Sequence, residues 1–191
     1  MNLPYSAIIF DCDGTLANTL PVHFRVWSTI LQERGTGFSE VWYQQHCGLS
    51  GAEMLQRLQE QFGYQIDLPA IRAEQRQLFD ALIHTVEEIQ VVADVARSHV
   101  GKMPIAVASG GSRINVETTL KAVGLRDLFE TIVTINDVSR GKPAPDLFLL
   151  AAERLGVEPA ACLVYEDSDG GLEAARRAGM RSIDVRSLLS A

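Results

Sequence analysis

Tyr5-Ser6-Ala7-Ile8-Ile9-Phe10-Asp11-Cys12-Asp13-Gly14-Thr15 is the stretch on which the architecture turns. A short apolar run that ends at a carboxylate and a glycine fits a strand buried on both faces and followed by a turn. Asp11 then stands at the carboxyl end of that strand. Working outward, comparable runs recur at Met103 to Ala108, Thr131 to Ile135, Cys162 to Tyr165 and Arg181 to Val185. Apolar spacing and stop signals predict helices over 112–123, 145–156 and 169–178, ended by Gly124, Gly156 and Gly179. Pro145 sits where a first-turn proline is tolerated, and Leu147, Phe148, Leu150, Ala151 and Leu155 make an apolar face behind it. Strands alternating with helices predict an α/β fold with a doubly wound parallel sheet.

Between the first two strands lie roughly 75 residues, from about Ala17 to Glu88, far more than a normal crossover contains. Such a segment must hold structure of its own. Helical spacing covers His23 to Arg34, Ser39 to Cys47, Ala52 to Phe62 and Pro69 to His84, with glycines between them. The expected organisation is an α/β core of residues 1–16 and 89–191 carrying an inserted helical cap, 17–88.

Composition bounds the function. The 191 residues suffice for one core with a smaller insert, and 47% hydrophobic with 21% charged content is ordinary for a globular chain. No apolar run approaches the roughly 18 to 20 residues that span a bilayer, so no membrane partner is expected. The first strand begins without a basic stretch, a long apolar stretch or a cleavage site, which predicts a cytoplasmic protein. Cys12, Cys47 and Cys162 stand far apart and suggest neither a disulfide framework nor a zinc site. A net charge of −7 repels polyphosphate backbones, so nucleic acid is not an expected partner. A small phosphorylated metabolite remains open, because a local metal and lysine reverse the potential inside a cleft.

In open α/β sheets ligands collect at the carboxyl ends of strands. Asp11 and Asp13 follow the first strand, Ser109 and Gly110 the second, Lys142 lies after the third, and Glu166 with Asp167 follow the fourth. A carboxylate attacks phosphorus, Mg²⁺ takes carboxylate oxygens, and lysine neutralises phosphoryl charge. On this chemistry Asp11 is the candidate nucleophile. Asp13 is the candidate acid and base, with Ser109, Gly110 and Lys142 holding the phosphoryl group. Mg²⁺ falls to Asp11, Asp13 through its backbone carbonyl, and Asp167; Glu166 is a further ligand or stands behind them.

Each assignment has a plainer counterpart. Asp11, Asp13 and Gly14 suit a turn, Ser109 a helix cap, Lys142 a solvated surface, and Glu166 with Asp167 the start of a helix. An EF-hand is excluded, since its glycine belongs at the sixth position and its glutamate at the twelfth. Gly141-Lys142 is no Walker loop, because Asn136 and Pro143 occupy positions that require Gly and Ser or Thr.

Taken together, four strings resemble the haloacid dehalogenase superfamily, in its phosphatase branch and β-phosphoglucomutase-like subfamily. They are Asp11-Cys12-Asp13-Gly14-Thr15-Leu16, Val107-Ala108-Ser109-Gly110, Gly141-Lys142-Pro143-Ala144-Pro145-Asp146 and Tyr165-Glu166-Asp167-Ser168-Asp169-Gly170-Gly171. They stand in the family's order. The resemblance implies a Rossmann-like core with a cap inserted after the first motif, Mg²⁺ as cofactor, an aspartyl phosphate on Asp11, and closure of the cap over the site. Asn18-Thr19-Leu20-Pro21-Val22-His23 resembles the subfamily's entry into its cap, which gives His23 a cap-side role at the substrate.

Two departures bear on function. Asn18 replaces an acidic residue usual at that point, and Gly51 follows Ser50 where β-phosphoglucomutase carries an arginine for the distal phosphate of a bisphosphate. Without that bidentate donor, hydrolysis is favoured over mutation. The expected activity is therefore a Mg²⁺-dependent phosphatase for a sugar or sugar-acid phosphate. The alternatives are a phosphosugar mutase and a non-catalytic phosphate-binding regulatory protein. Oligomeric state is left open, a monomer being compatible with everything above.

Overall fold

The computed structural model describes residues 5–46, 51–64 and 68–189. After β1 (Ala7–Phe10) come four helices, α1 (Leu20–Gln32), α2 (Glu40–Gln45), α3 (Gly51–Phe62) and α4 (Leu68–Leu82). The chain then returns through α5 (Gln90–His99) to β2 (Ile105–Ser109), α6 (Arg113–Ala122), β3 (Thr131–Thr134) and α7 (Asp146–Leu155). It closes with β4 (Cys162–Glu166), α8 (Asp169–Arg177), β5 (Arg181–Asp184) and the short α9 (Arg186–Leu189). No helix among the described residues is long and apolar enough to cross a membrane.

All five strands are parallel, in the order β3-β2-β1-β4-β5. The chain winds outward from β1 through β2 to β3, then crosses back and winds through β4 to β5. The switch of direction falls between β1 and β4, whose carboxyl ends lie side by side. A crevice opens at such a point. The amide of Asp11 donates to the Tyr165 carbonyl at 3.0 Å, so pairing of these strands continues into the site.

β1 is buried at every position because it packs on both faces. Ile8 and Phe10 join the cluster formed by α5 and α6, with Val92, Ala96, Val116 and Leu120. Ala7 and Ile9 join the opposite cluster, with Leu147, Phe148, Ala151 and Ala174 from α7 and α8. Helix ends follow local chemistry. Ser112 and Ser168 cap α6 and α8 by accepting from the amides of Asn115 and Gly171. Gly156, at φ 67°, ends α7 in the left-handed conformation that glycine adopts without strain.

The four helices after β1 share their own apolar cluster, built on Val26, Trp27, Ile30, Leu58, Ile71 and Phe79. The chain leaves and re-enters the core through two adjacent linkers. Asn18 N donates to Glu87 O at 2.9 Å, Ile89 N to Leu16 O at 2.9 Å, and Ala17 bridges Glu88 antiparallel. We take 17–88 to be a cap on a core formed by the residues to either side. The strand and helix ends predicted from sequence lie within a few residues of those observed. The amphipathic helix α5, directly after the return linker, was not predicted at all.

Leu120, fully buried between α6 and the sheet, tests this packing. Leu120→Ala should lower the unfolding free energy by about 2–5 kcal/mol. Denaturant titration measures it, and a loss below about 1 kcal/mol would mean that this face is not close-packed.

Candidate active site

The carboxyl ends of the central strands bring the predicted residues together. Asp11 directly follows β1, Asp167 directly follows β4, and Lys142 lies in the loop before α7. Ser109 and Glu166 differ slightly from expectation: each is the last residue of its strand, not the first after it. Their backbones are therefore fixed by the β2–β3 and β4–β5 ladders.

At the centre stands Lys142, with its ammonium 2.5 Å from Asp11 Oδ1 and 2.6 Å from Glu166 Oε2. All three side chains are buried, and the Phe148 ring lies beneath the ammonium at 4.9 Å. The peptide bond from Lys142 to Pro143 is cis. Removing one partner from a buried charge pair typically costs about 3–5 kcal/mol, since the other is left uncompensated. Burial works to lower the Lys142 pKa, but attraction to Asp11 and Glu166 and their hydrogen bonds outweigh it, and the net shift is upward. Lys142 is a fixed cation, not a surface lysine.

The carboxylates outnumber it. Burial, with Glu166, Asp167 and Asp13 nearby, drives the Asp11 pKa well above its ordinary value in spite of Lys142. Burial and the charge of Glu166 push Asp167 up to about 7, against the Thr15 hydroxyl that donates to its Oδ1 at 2.8 Å.

Glu166 is secured on both oxygens. Oε2 takes Lys142, while Oε1 accepts from the Asp167 amide at 3.0 Å and from the Ser168 amide and hydroxyl, each at 2.9 Å. It therefore holds the loop that carries Asp167. Two glycines leave room for this packing. A Cβ at Gly171 would lie 2.0 Å from the Glu166 carboxyl, and one at Gly14, whose φ is +89°, would lie 2.2 Å from Asp167 Oδ2.

Asp13 points elsewhere. Its Oδ1 accepts from the Thr19 hydroxyl at 2.7 Å and lies 3.5 Å from His23 Nε2. Burial would raise the Asp13 pKa, yet the hydrogen bonds and charge of His23 and Thr19 bring it below the usual value. Its Oδ2 is near Gly111, where an added Cβ would meet Asp13 Oδ2 and Ser109 Oγ, each at 3.3 Å. The Ser109 hydroxyl accepts from the Gly111 amide at 3.0 Å, so Ser109 does not cap α6, a task that falls to Ser112. Gly110 lies half-buried in the same turn. Asp13, Ser109 and this turn thus form one side of the site, and Lys142, Glu166 and Asp167 the other.

Asp11, Glu166 and Asp167 each offer a carboxylate oxygen within 4.8 Å of the others. Three buried carboxylates against one lysine, with two of their pKa values raised, form a donor set suited to a hard divalent cation. The hydrogen bonds divide these donors. Asp11 and Asp167 each have one oxygen engaged by Lys142 or Thr15, whereas both oxygens of Glu166 are taken. The side chain of Asp13 lies outside this group.

Above the site a cleft of about 1130 Å³ separates core from cap, with Gly14, Lys142 and Asp167 in its floor and Phe24, Tyr43 and His46 in its roof. His23 lies flat against Phe79, with ring centroids 4.9 Å apart. Trp27 and Trp42 are buried in the cap cluster, and Arg76 pairs with Asp80 on the same helix. The Arg72 side chain lies outside the described residues, as do Cys47, Gly48, Leu49 and Ser50. Thr15, Thr19, Ser168 and Gly111 hold site residues in place but received no role from the sequence. Their signal was only that hydroxyl and glycine residues stood beside the carboxylates.

A family model described as haloacid dehalogenase-like hydrolase matches residues 5–179. The chain is 37% identical over 188 residues to the fructose-1-phosphate phosphatase YqaB of Escherichia coli K12, covering 96% of this chain and 98% of that protein. It is 28% identical to a phosphorylated carbohydrates phosphatase of Thermotoga maritima, covering 93% of this chain and 83% of that one. Among solved structures, CbbY from Rhodobacter sphaeroides in complex with phosphate superposes with a TM-score of 0.82 at 29% identity, covering 94% of this chain and 85% of that one.

The raised pKa of Asp167 predicts a pH dependence. Between the ordinary aspartate value of 3.8 and about 7, the folded protein retains a proton that the unfolded chain has lost. Stability therefore falls as pH rises through that window. The lowered pKa of Asp13 acts below the window, and Asp11 acts in the same direction as Asp167. In metal-free buffer, Asp167→Asn should flatten the decline in thermal midpoint between pH 5 and 8. An unchanged slope would contradict the assignment.

Proposed function

The chain belongs to the haloacid dehalogenase-like hydrolase family, and from that premise we propose a Mg²⁺-dependent phosphatase that transfers the phosphoryl group of a small sugar or sugar-acid phosphate to Asp11 and then to water. The observation that carries this reading is the division of the site: one carboxylate locked to a buried lysine, and a second, two residues on, turned to the opposite side beside Ser109. Nucleophilic displacement followed by hydrolysis needs one fixed carboxylate to attack and another free to carry a proton.

In the proposed reaction Lys142 fixes the Asp11 carboxylate and offsets charge on the phosphoryl oxygens. The Ser109 hydroxyl and the Gly110 amide receive those oxygens from the other side. An Asp11 oxygen bonds to phosphorus as the bond to the leaving oxygen breaks, and protonated Asp13 gives its proton to the departing alkoxide. Asp13, now a carboxylate, takes a proton from water as that water attacks the aspartyl phosphate. Inorganic phosphate leaves, and Asp11 is regenerated.

The hydrogen bonds of Thr19 and His23 favour the carboxylate form of Asp13 in the free site, which suits the second step. A bound phosphate dianion beside it favours the protonated form, which suits the first. Mg²⁺, held by Asp11, the Asp13 carbonyl and Asp167, would neutralise phosphoryl charge among these acids. Glu166, with both oxygens taken, is placed behind the ion as the anchor of Lys142 and of the Asp167 loop. His23 is placed on the cap side as the partner of Asp13.

Hydrolysis is preferred to mutase chemistry because Gly51, the first residue of α3, supplies no guanidinium for a second phosphate. Gly48, Leu49 and Ser50, the rest of that string, lie outside the described residues.

Asp11→Asn should abolish phosphate release from a phosphosugar panel while leaving the circular dichroism spectrum unchanged; near-normal turnover would remove Asp11 as nucleophile. Asp13→Asn should slow turnover by about 10²- to 10⁴-fold, the usual contribution of a positioned acid and base. An unchanged single-turnover rate would exclude that role. Exhaustive chelation should stop the reaction and added Mg²⁺ restore it, and activity that survives chelation would sink the metal assignment.

A further inference from the structure

The cleft that reaches the candidate site carries its own charge pattern. Its wall includes four carboxylates: Glu40 from α2, Glu87 and Glu88 from the return linker, and Asp169 from the start of α8. Among the described residues its cations besides Lys142 are Arg57 and Arg186. Arg186 is committed to acids, bonding Asp184 Oδ1 through Nε at 2.9 Å and Asp169 Oδ1 through Nη2 at 2.8 Å. Arg57 lies 3.4 Å from Glu60 on its own helix. Of the acids, Glu88 is paired with Arg97, which lies outside the cleft wall. Beyond the phosphoryl-binding floor the wall is therefore negative on balance, with Glu40 and Glu87 both exposed.

One ring in the wall points the same way. His46 lies 4.1 Å from Trp42 in a stacked pair, and its Nδ1 is 2.8 Å from the Trp42 carbonyl. A carbonyl only accepts, so Nδ1 carries hydrogen, and in the neutral ring Nε2 is left as an acceptor. These carboxylates and His46 Nε2 are acceptors, which suit a leaving group rich in hydroxyl donors. A carboxylate or a second phosphate on the substrate would face like charge along the cleft.

The geometry points to a neutral polyhydroxyl leaving group: this cleft accepts the monophosphate of a neutral sugar and selects against sugar-acid phosphates and bisphosphates. The inference rests on the phosphatase reading and narrows it.

Three phosphosugars of matched carbon number test it with Mg²⁺ present: a hexose monophosphate, the corresponding aldonic-acid phosphate, and a hexose bisphosphate. kcat/KM should be at least about tenfold higher for the neutral sugar at low ionic strength, and about 0.5 M salt should narrow the gap. In Glu40→Gln/Glu87→Gln, two exposed positions, the ratio of neutral to anionic substrate should fall severalfold. Equal or better turnover of the acidic sugars, or a ratio that neither salt nor the double variant changes, overturns the inference and leaves the phosphatase standing. No phosphate release from any of the three, nor from p-nitrophenyl phosphate, overturns the phosphatase reading and this one with it.

Discussion

The interaction on which the rest of the site depends is the ammonium of Lys142 held between Asp11 and Glu166 in a buried pocket. It joins residues 131 positions apart and comes from a loop whose only link to β1 is tertiary. One lysine cannot balance three carboxylates. Burial, together with the excess negative charge, raises the pKa values of Asp11 and Asp167, and that excess gives a cation a reason to bind where the sequence alone shows only scattered acids. Much of the surrounding packing serves this cluster. Gly14 and Gly171 leave space for carboxyl groups, and Thr15 and Ser168 supply hydroxyls to them.

Sheet topology explains why the cluster forms here. With β1 central and the winding direction reversing between β1 and β4, the first and fourth motifs become neighbours at the mouth of a crevice. Parallel pairing sets all carboxyl ends on one edge, so four distant segments deliver side chains to one place. The cap enters beside that edge, between Leu16 and Ile89, and its two linkers pair with each other. A roof attached there covers the site without interrupting a strand.

The same placement separates chemistry from selection. The core supplies the candidate nucleophile, the cation and the candidate metal ligands, all buried. Cap and linkers supply much of the wall, where exposed side chains such as Glu40 and Glu87 are free to differ without cost to the core. In the proposed reaction His23 and Thr19 cross this boundary, because they lie at the start of the cap segment and yet touch Asp13.

Much of this was legible in the sequence because it is local. Apolar runs of strand length, glycines at helix ends and an overlong crossover follow from backbone sterics and burial, and those forces act over a few residues. Even Asp11, Asp13 and Asp167 could be named, since each stands just past a predicted strand, and Lys142 from the Gly141-Lys142-Pro143 string in the loop region after another. Helix α5 escaped because its apolar face is short and alanine-rich, and its helical identity depends on packing against β1 and β2. The tertiary structure decided what spacing cannot encode: that Glu166 turns both oxygens inward and anchors a lysine and a loop, that Ser109 faces Asp13 while Ser112 caps the helix, and that acids from three separate segments share one cleft wall. Those outcomes depend on side-chain direction and on distances between residues far apart in the chain, and only the folded backbone sets them.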